Sequence, residues 1–228
     1  MNRMKRQVDP GSKGGRLASS SSPIATPWLY VAFGLGFLFL EVSALEVSAA
    51  AQARAVPEAP QKTFVSRRDS FQFKYPASFI LCGKSTRREA CQTYIPICDE
   101  TAAACVAYPT ARYKGYDFEG AAFSVDKLSE QDTEGKCLNS MNKPVHTESV
   151  NGVEFQISHQ TSAAMGHGMS QYSYRSFDRG ACYELDIKIA TSSLGGYSPG
   201  TVKEFTQEDE QRVQASLAKV LSTFEFLK

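Results

Sequence analysis

Val145-His146-Thr147-Glu148-Ser149-Val150-Asn151-Gly152-Val153-Glu154-Phe155-Gln156-Ile157-Ser158-His159 is the stretch whose reading decides the fold. Asn-Gly between two β-favouring runs is a strong hairpin signal, because a two-residue type I′ turn needs positive φ at both central residues. The stretch predicts antiparallel strands over 145–150 and 153–159, with Val153, Phe155 and Ile157 on one face and His159 ending that buried series. Downstream, 171–177 and 181–190 form a second strand pair around Asp178-Arg179-Gly180. Tyr183, Leu185, Ile187 and Ile189 face one way in the latter strand, and Glu184, Asp186 and Lys188 the other, so one face reads as dry and one as solvated. The intervening segment, with Gly166 and Gly168, reads as a Gly-rich loop.

Working outward, Thr206 opens an acidic first turn (Glu208, Asp209, Glu210), and Val213, Leu217, Val220, Leu221 and Phe224 recur at helical spacing. This predicts a long amphipathic helix closing the chain, with 224–227 a last short strand. Towards the N-terminus, Phe71, Phe73 and Tyr75 share a strand face that Pro76 ends. Strands are also predicted over 91–98, 105–108 and 118–128, and a short helix capped near Ser129 runs toward Cys137. The expected class is α+β: a mainly antiparallel sheet, a β meander, covered by the C-terminal helix.

The 228 residues are 42% hydrophobic and 21% charged, with 25 Lys+Arg against 24 Asp+Glu. That balance excludes a nucleic-acid partner built on basic excess. Arg3, Lys5, Arg6, Lys13 and Arg16 precede an uncharged apolar run over 28–40, and small residues with A-x-A frames follow at 49–55. The pattern is a secretory signal over 1–55, cut near Ala53 or Ala55; the alternative is an anchor that holds the chain in the membrane through 24–40. A linker over 56–62 then leads to a single disulfide-bonded domain over 63–228, secreted or periplasmic.

All six cysteines follow the signal, and an even count in an exported chain reads as disulfides. No C-x-x-C occurs, so a zinc ribbon or thioredoxin-type pair has no support. The strand reading ranks Cys98 with Cys105 and Cys82 with Cys91, each across a local loop, which leaves Cys137 with Cys182. That last bridge requires the short helix to cover the start of the Glu184 face.

Five constellations carry candidate chemistry. In Gly166-His167-Gly168-Met169-Ser170 a His stands where a nucleophile elbow needs Ser, so a hydrolase is not indicated. Met165, His167 and Met169 occupy alternate positions; in an extended segment two thioethers and an imidazole would leave one face, a set suited to Cu(I). The plainer reading is a loop whose methionines cap the core edge, and neither His146 nor His159 adds to the metal set. Glu184 and Asp186, with Lys188 beside them, read as a solvated strand surface rather than an acid pair, and Lys84, Arg87 and Arg88 as a solvated loop. Tyr172, Tyr174, Phe177 and Tyr183 read as cross-strand packing before they read as a ligand strip.

Two resemblances follow from these residues. Ser70-Phe71-Gln72-Phe73-Lys74-Tyr75-Pro76 with Phe79, and the helix running into Phe224-Glu225-Phe226, resemble the bracketing elements of the PsbP-like fold. That implies a sheet sandwiched by helices and an accessory or binding role outside the cytoplasm. Ala163 through Met165-Gly166-His167, Gly180, Cys182-Tyr183-Glu184-Leu185-Asp186-Ile187 and Pro199-Gly200-Thr201 are similar to a family of uncharacterised exported bacterial proteins, which implies no activity. The expected function is an exported, non-enzymatic module binding a protein or envelope component, without a cofactor. The alternatives are a copper-binding protein and an enzyme with a dispersed site.

Overall fold

A computed structural model describes residues 59–83, 89–91, 93–141 and 146–228. It holds two sheets in which every strand pair is antiparallel. The smaller sheet has β2 (Phe71–Pro76) at its centre, flanked by β1 (Gln61–Ser66) and the two-residue β10 (Glu225–Phe226). Gln61 and Lys62, assigned to the linker by sequence, thus belong to a strand. The larger sheet runs in the order β3-β4-β5-β9-β8-β7-β6. Its strands are β3 (Ile80–Cys82), β4 (Ala104–Ala107), β5 (Phe118–Leu128), β6 (His146–Val150), β7 (Val153–Ala164), β8 (His167–Asp178) and β9 (Ala181–Ser192).

Strands β6 to β9 form a continuous meander through three two-residue turns of one kind. Asn151-Gly152, Met165-Gly166 and Arg179-Gly180 all have positive φ at both positions (48° and 80°, 53° and 83°, 48° and 76°), the requirement of a type I′ turn. The middle turn replaces the expected Gly-rich loop. β7 and β8 each run 12 residues and pair as far as Ala164 with His167. Among the described residues of 91–98 no strand forms: Cys91 ends a short 3-10 helix and the others are bends or irregular, interrupted by Pro96, which offers no amide to a ladder. β4 pairs with β3 instead, and Cys82 faces Cys105 in the register.

Helix α1 (Glu134–Asn139) is capped by Thr133, whose hydroxyl accepts from the Lys136 amide, and not by Ser129, four residues earlier. Helix α2 (Gln207–Leu221) has Thr206 as N-cap in a reciprocal capping box with Asp209, and three acidic residues in its first turn meet the positive end of the helix dipole. Val213, Leu217, Val220 and Leu221 belong to one apolar cluster with Phe71 and Phe73 of β2, Phe123 of β5, and Leu185 and Ile187 of β9. Phe73 meets Phe123 edge-on at 5.2 Å between ring centroids, and the Tyr183 hydroxyl donates to the Asp69 carbonyl at 2.9 Å, so aromatic contacts tie the two sheets together.

The cysteines pair as Cys82–Cys91, Cys98–Cys105 and Cys137–Cys182, with Cα separations of 5.8, 5.8 and 5.5 Å. Three bridges and no free thiol among the described residues are the chemistry of an oxidising, non-cytoplasmic compartment. No helix among the described residues is long and apolar enough to cross a membrane. The signal or anchor over 1–55 lies outside the described residues.

Candidate functional site

The far end of the larger sheet carries the first cluster. Met165 is 86% exposed at the tip of the β7–β8 hairpin. The tip is tied to the segment after β9, because the Ser193 amide donates to the Gly166 carbonyl at 2.6 Å. Leu194 follows directly, and the Tyr197 hydroxyl lies 2.9 Å from Ser192 Oγ. From the other side, Tyr94 stacks on the His167 ring at 3.8 Å between centroids. Tyr94, Met165, Leu194 and Tyr197 are four of the six exposed large hydrophobic residues of the described chain; Met165 lines one shallow hollow formed by 163–168 and 191–193, and the other three each adjoin a lining residue, Tyr94 at His167, Tyr197 at Ser192 and Leu194 next to Ser193. At its base His167 Nδ1 is 2.5 Å from Glu119 Oε1, while Glu119 Oε2 is buried with no partner among the described residues.

For the Met165, His167 and Met169 set, this geometry changes one premise. His167 and Met169 stand two apart in an extended strand and share a face; Met165 sits in left-handed backbone at φ 53°, so the alternation that would align all three stops at the turn. A carboxylate on Nδ1 fixes the imidazole and makes Nε2 the nitrogen available to a ligand.

The second cluster is the β9 face that reads as solvated in the sequence. Asp186 and Lys188 are only 2% and 5% exposed, so the solvated reading is overturned: the segment after Cys91 and helix α1 lie over this face. Lys188 Nζ is 2.6 Å from Asp99 Oδ2 and 3.6 Å from Asp186 Oδ2. Ser173 Oγ donates to Asp186 at 2.5 Å and receives Gln171 Nε2 at 3.0 Å. Arg175 pairs with Glu184 through Nε and Nη2 and donates from Nη1 to Ser140 Oγ and the Cys137 carbonyl, which anchors α1 beside the Cys137–Cys182 bridge. Carboxylate oxygens of Asp99, Asp126 and Asp186 lie within 4.8 Å of one another, close enough to share one small cation, with the Lys188 ammonium beside them.

Burial, reinforced by the charges of Asp99 and Asp186, pushes the Asp126 carboxyl up to about 7. Burial likewise raises Glu184, with Asp186 adding to it and Arg175 opposing. Burial alone would lower Lys188, but the Asp99 hydrogen bond and the charges of Asp186, Asp99 and Asp126 hold it above the ordinary lysine range. Asp126 Oδ2 and Ser124 Oγ are buried without a partner among the described residues.

No family model matches the chain, and a search of curated proteins finds no match. Solved structures do resemble it at low similarity. A crystal structure from Bacteroides thetaiotaomicron VPI-5482 is 12% identical, with 73% of this chain and 48% of that one covered and a TM-score of 0.42. The chain therefore spans about half the length of that protein. Cyanobacterial PsbP (CyanoP) from Synechocystis sp. PCC 6803 is 10% identical over 75% of this chain and 95% of its own, at a TM-score of 0.31. LpqN of Mycobacterium tuberculosis, described as involved in cell envelope biogenesis, is 9% identical over 77% and 88%, at 0.39.

The remaining sequence candidates are dispersed. His159 is exposed rather than the end of a buried series; it stacks on Tyr172 at 4.1 Å and lies 3.2 Å from Ser170 Oγ, because the apolar face of β7 ends at Ile157. His146 is exposed beside Glu148. Tyr183 belongs to the core cluster, and Tyr172 and Tyr174, partly buried, pack against that cluster. Lys84, Arg87 and Arg88 lie outside the described residues. Sequence reading missed Tyr94, Glu119, Asp99 and Asp126. None sits in a motif; the available signal was Glu119 and Asp126 bracketing an otherwise apolar run in β5.

Proposed function

We propose that this chain is an exported, non-enzymatic binding module that docks a protein of the cell envelope on the surface formed by Tyr94, Met165, Leu194 and Tyr197. Met165 carries the reading. A methionine in left-handed backbone costs about 1 kcal/mol, and an apolar side chain held almost wholly in water gains nothing from burial, so the position is unfavourable twice over in the free protein. Such a residue at a turn where Asn or Gly is the usual choice is a candidate for contact. Tyr and Met are enriched in protein interfaces, and three tyrosine or methionine side chains around a hollow have that composition. The export signal over 1–55, cleaved to release a secreted or periplasmic domain, and a C-terminal helix laid over the sheet as in PsbP-like accessory proteins complete the reading.

Photo-crosslinking tests it. A crosslinkable residue at position 94, 165 or 197, in protein expressed in its own host, should yield one discrete adduct; at Glu154 or Lys219 it should yield none. The adduct at 94 should vanish in M165D. Equal adducts at all positions, or none at any, would sink the docking surface.

A second reading, copper binding by His167 Nε2 with Met169 and Met165, has one observation behind it: Glu119 fixes the imidazole as a ligand histidine is usually fixed. Titration with Cu(I) in ascorbate decides it, since binding tighter than micromolar that is lost in H167N would carry it and absence of binding would remove it.

A further inference from the structure

Lys188 Nζ is 2.6 Å from Asp99 Oδ2, and the carboxyl groups of Asp126 and Asp186, both buried on the sheet face, stand within 4.8 Å of each other and of that of Asp99, whose side chain is 44% exposed. We propose that Lys188 and Asp99 condense to an intramolecular amide, with Asp126 as proton donor and Asp186 as proton acceptor, making this face a self-modification site.

The step balances without an oxidant or co-reactant. Asp186, 3.6 Å from Nζ, takes a proton from the ammonium, and the freed nitrogen attacks Cγ of Asp99. The Nζ–Cγ bond forms and the Cγ–O bond breaks as Asp126 passes its proton to the departing oxygen. Of the three ammonium protons one stays on the amide and the others account for the water, and Asp126 recovers through Asp186 the proton it lent. One ammonium and one carboxylate give one amide and one water.

Three features favour the reaction here. Cys98, bridged to Cys105 of β4, fixes the residue next to Asp99, so the two reactants are held together in the way that gives intramolecular reactions their high effective concentration. Asp126 is 8% exposed and has an unpartnered oxygen, and its carboxyl, raised to about 7, holds a proton at neutral pH as a donor must. Small residues, Ala122 and Ser124 across the ladder from Lys188 and Asp186, leave no bulky side chain opposite the reacting pair on that strand. The uphill part is deprotonating Lys188, which the neighbouring Asp99 and Asp186 carboxylates hold in the charged form, so the condensation is slow and matures after folding.

Proteolytic digestion of the full chain purified after export, with its bridges intact, reads the bond directly. A branched peptide joining Lys188 to Asp99, about 18 Da lighter than its two arms, is expected, and it should be missing from K188R and D99A. In D126N the branched peptide should accumulate at least tenfold more slowly while the melting temperature and circular dichroism show a folded protein. Unmodified peptides only, after prolonged incubation of the wild type at pH 7, would overturn the proposal. So would a wild-type rate in a folded D126N, or an equal mass loss in D99A. The readout is independent of the docking surface, because the branched peptide forms or fails to form whether or not a partner binds.

Discussion

Asp126 shows how much one carboxyl can bias a fold. Its folded value of about 7 stands above the unfolded reference of 3.8, so the native state keeps a proton that the unfolded chain releases. The sign follows: this group costs nothing below about pH 4, costs increasingly as pH rises, and costs most above about pH 7. In freshly folded protein, before any Lys188–Asp99 amide has formed, D126N should therefore raise stability at pH 8 by about 2 kcal/mol and leave it nearly unchanged at pH 4, read from urea midpoints. At Met165, Asn suits the left-handed turn better, so M165N should stabilise by about 0.5–1 kcal/mol while abolishing the crosslink at position 94. Asp126 was not legible as special in the sequence, and Met165 was legible only as a candidate metal ligand, not as an exposed residue in a left-handed turn. Asp99 and Lys188 are 89 positions apart, and Lys188 in the same alternating series as Glu184 and Asp186 looks like a solvated face until other segments are seen to lie on it. His167 was legible, but Glu119, 48 positions upstream, was not.

Among elements, the hairpins were legible where the turn chemistry is local. Asn151-Gly152 and Arg179-Gly180 announce themselves, whereas Met165-Gly166 is masked by Gly168, which makes a tight turn between long strands look like a loose loop. The strand expected over 91–98 failed because alternation was inferred from cysteine placement, and the bridges turn out to join a coiled segment to β3 and β4. The pairings survived that error because proximity in the chain, not strand geometry, brings the local cysteines together. The third bridge links α1 to β9 across a separation of 45 residues. In the chain-entropy view its removal in C137A/C182A should cost about 4 kcal/mol, against about 2.5 for either local bridge, measurable as a difference in denaturant midpoints. Thr206→Ala should cost about 1 kcal/mol by leaving amides of the first turn of α2 unpaired.

For the whole molecule, one apolar cluster takes residues from β2, β4, β5, β9 and α2, and a second, with Ile97, Ala107, Ala122 and Ala190, belongs to the larger sheet, so the small sheet has no core of its own. Unfolding of the domain should be a single transition, with tyrosine fluorescence and far-ultraviolet circular dichroism giving coincident curves; two separated midpoints would mean that the small sheet melts alone. That small sheet also sets how the domain bears load. β1 enters at Gln61 opposite Pro76, at one end of β2, while β10 leaves at Phe226 opposite Phe71, at the other end. Tension applied between the two chain ends therefore pulls β1 and β10 along β2 in opposite directions. The ladder bonds of each pair are sheared together instead of being peeled one at a time, and rupture begins at β10, which has only two residues to hold.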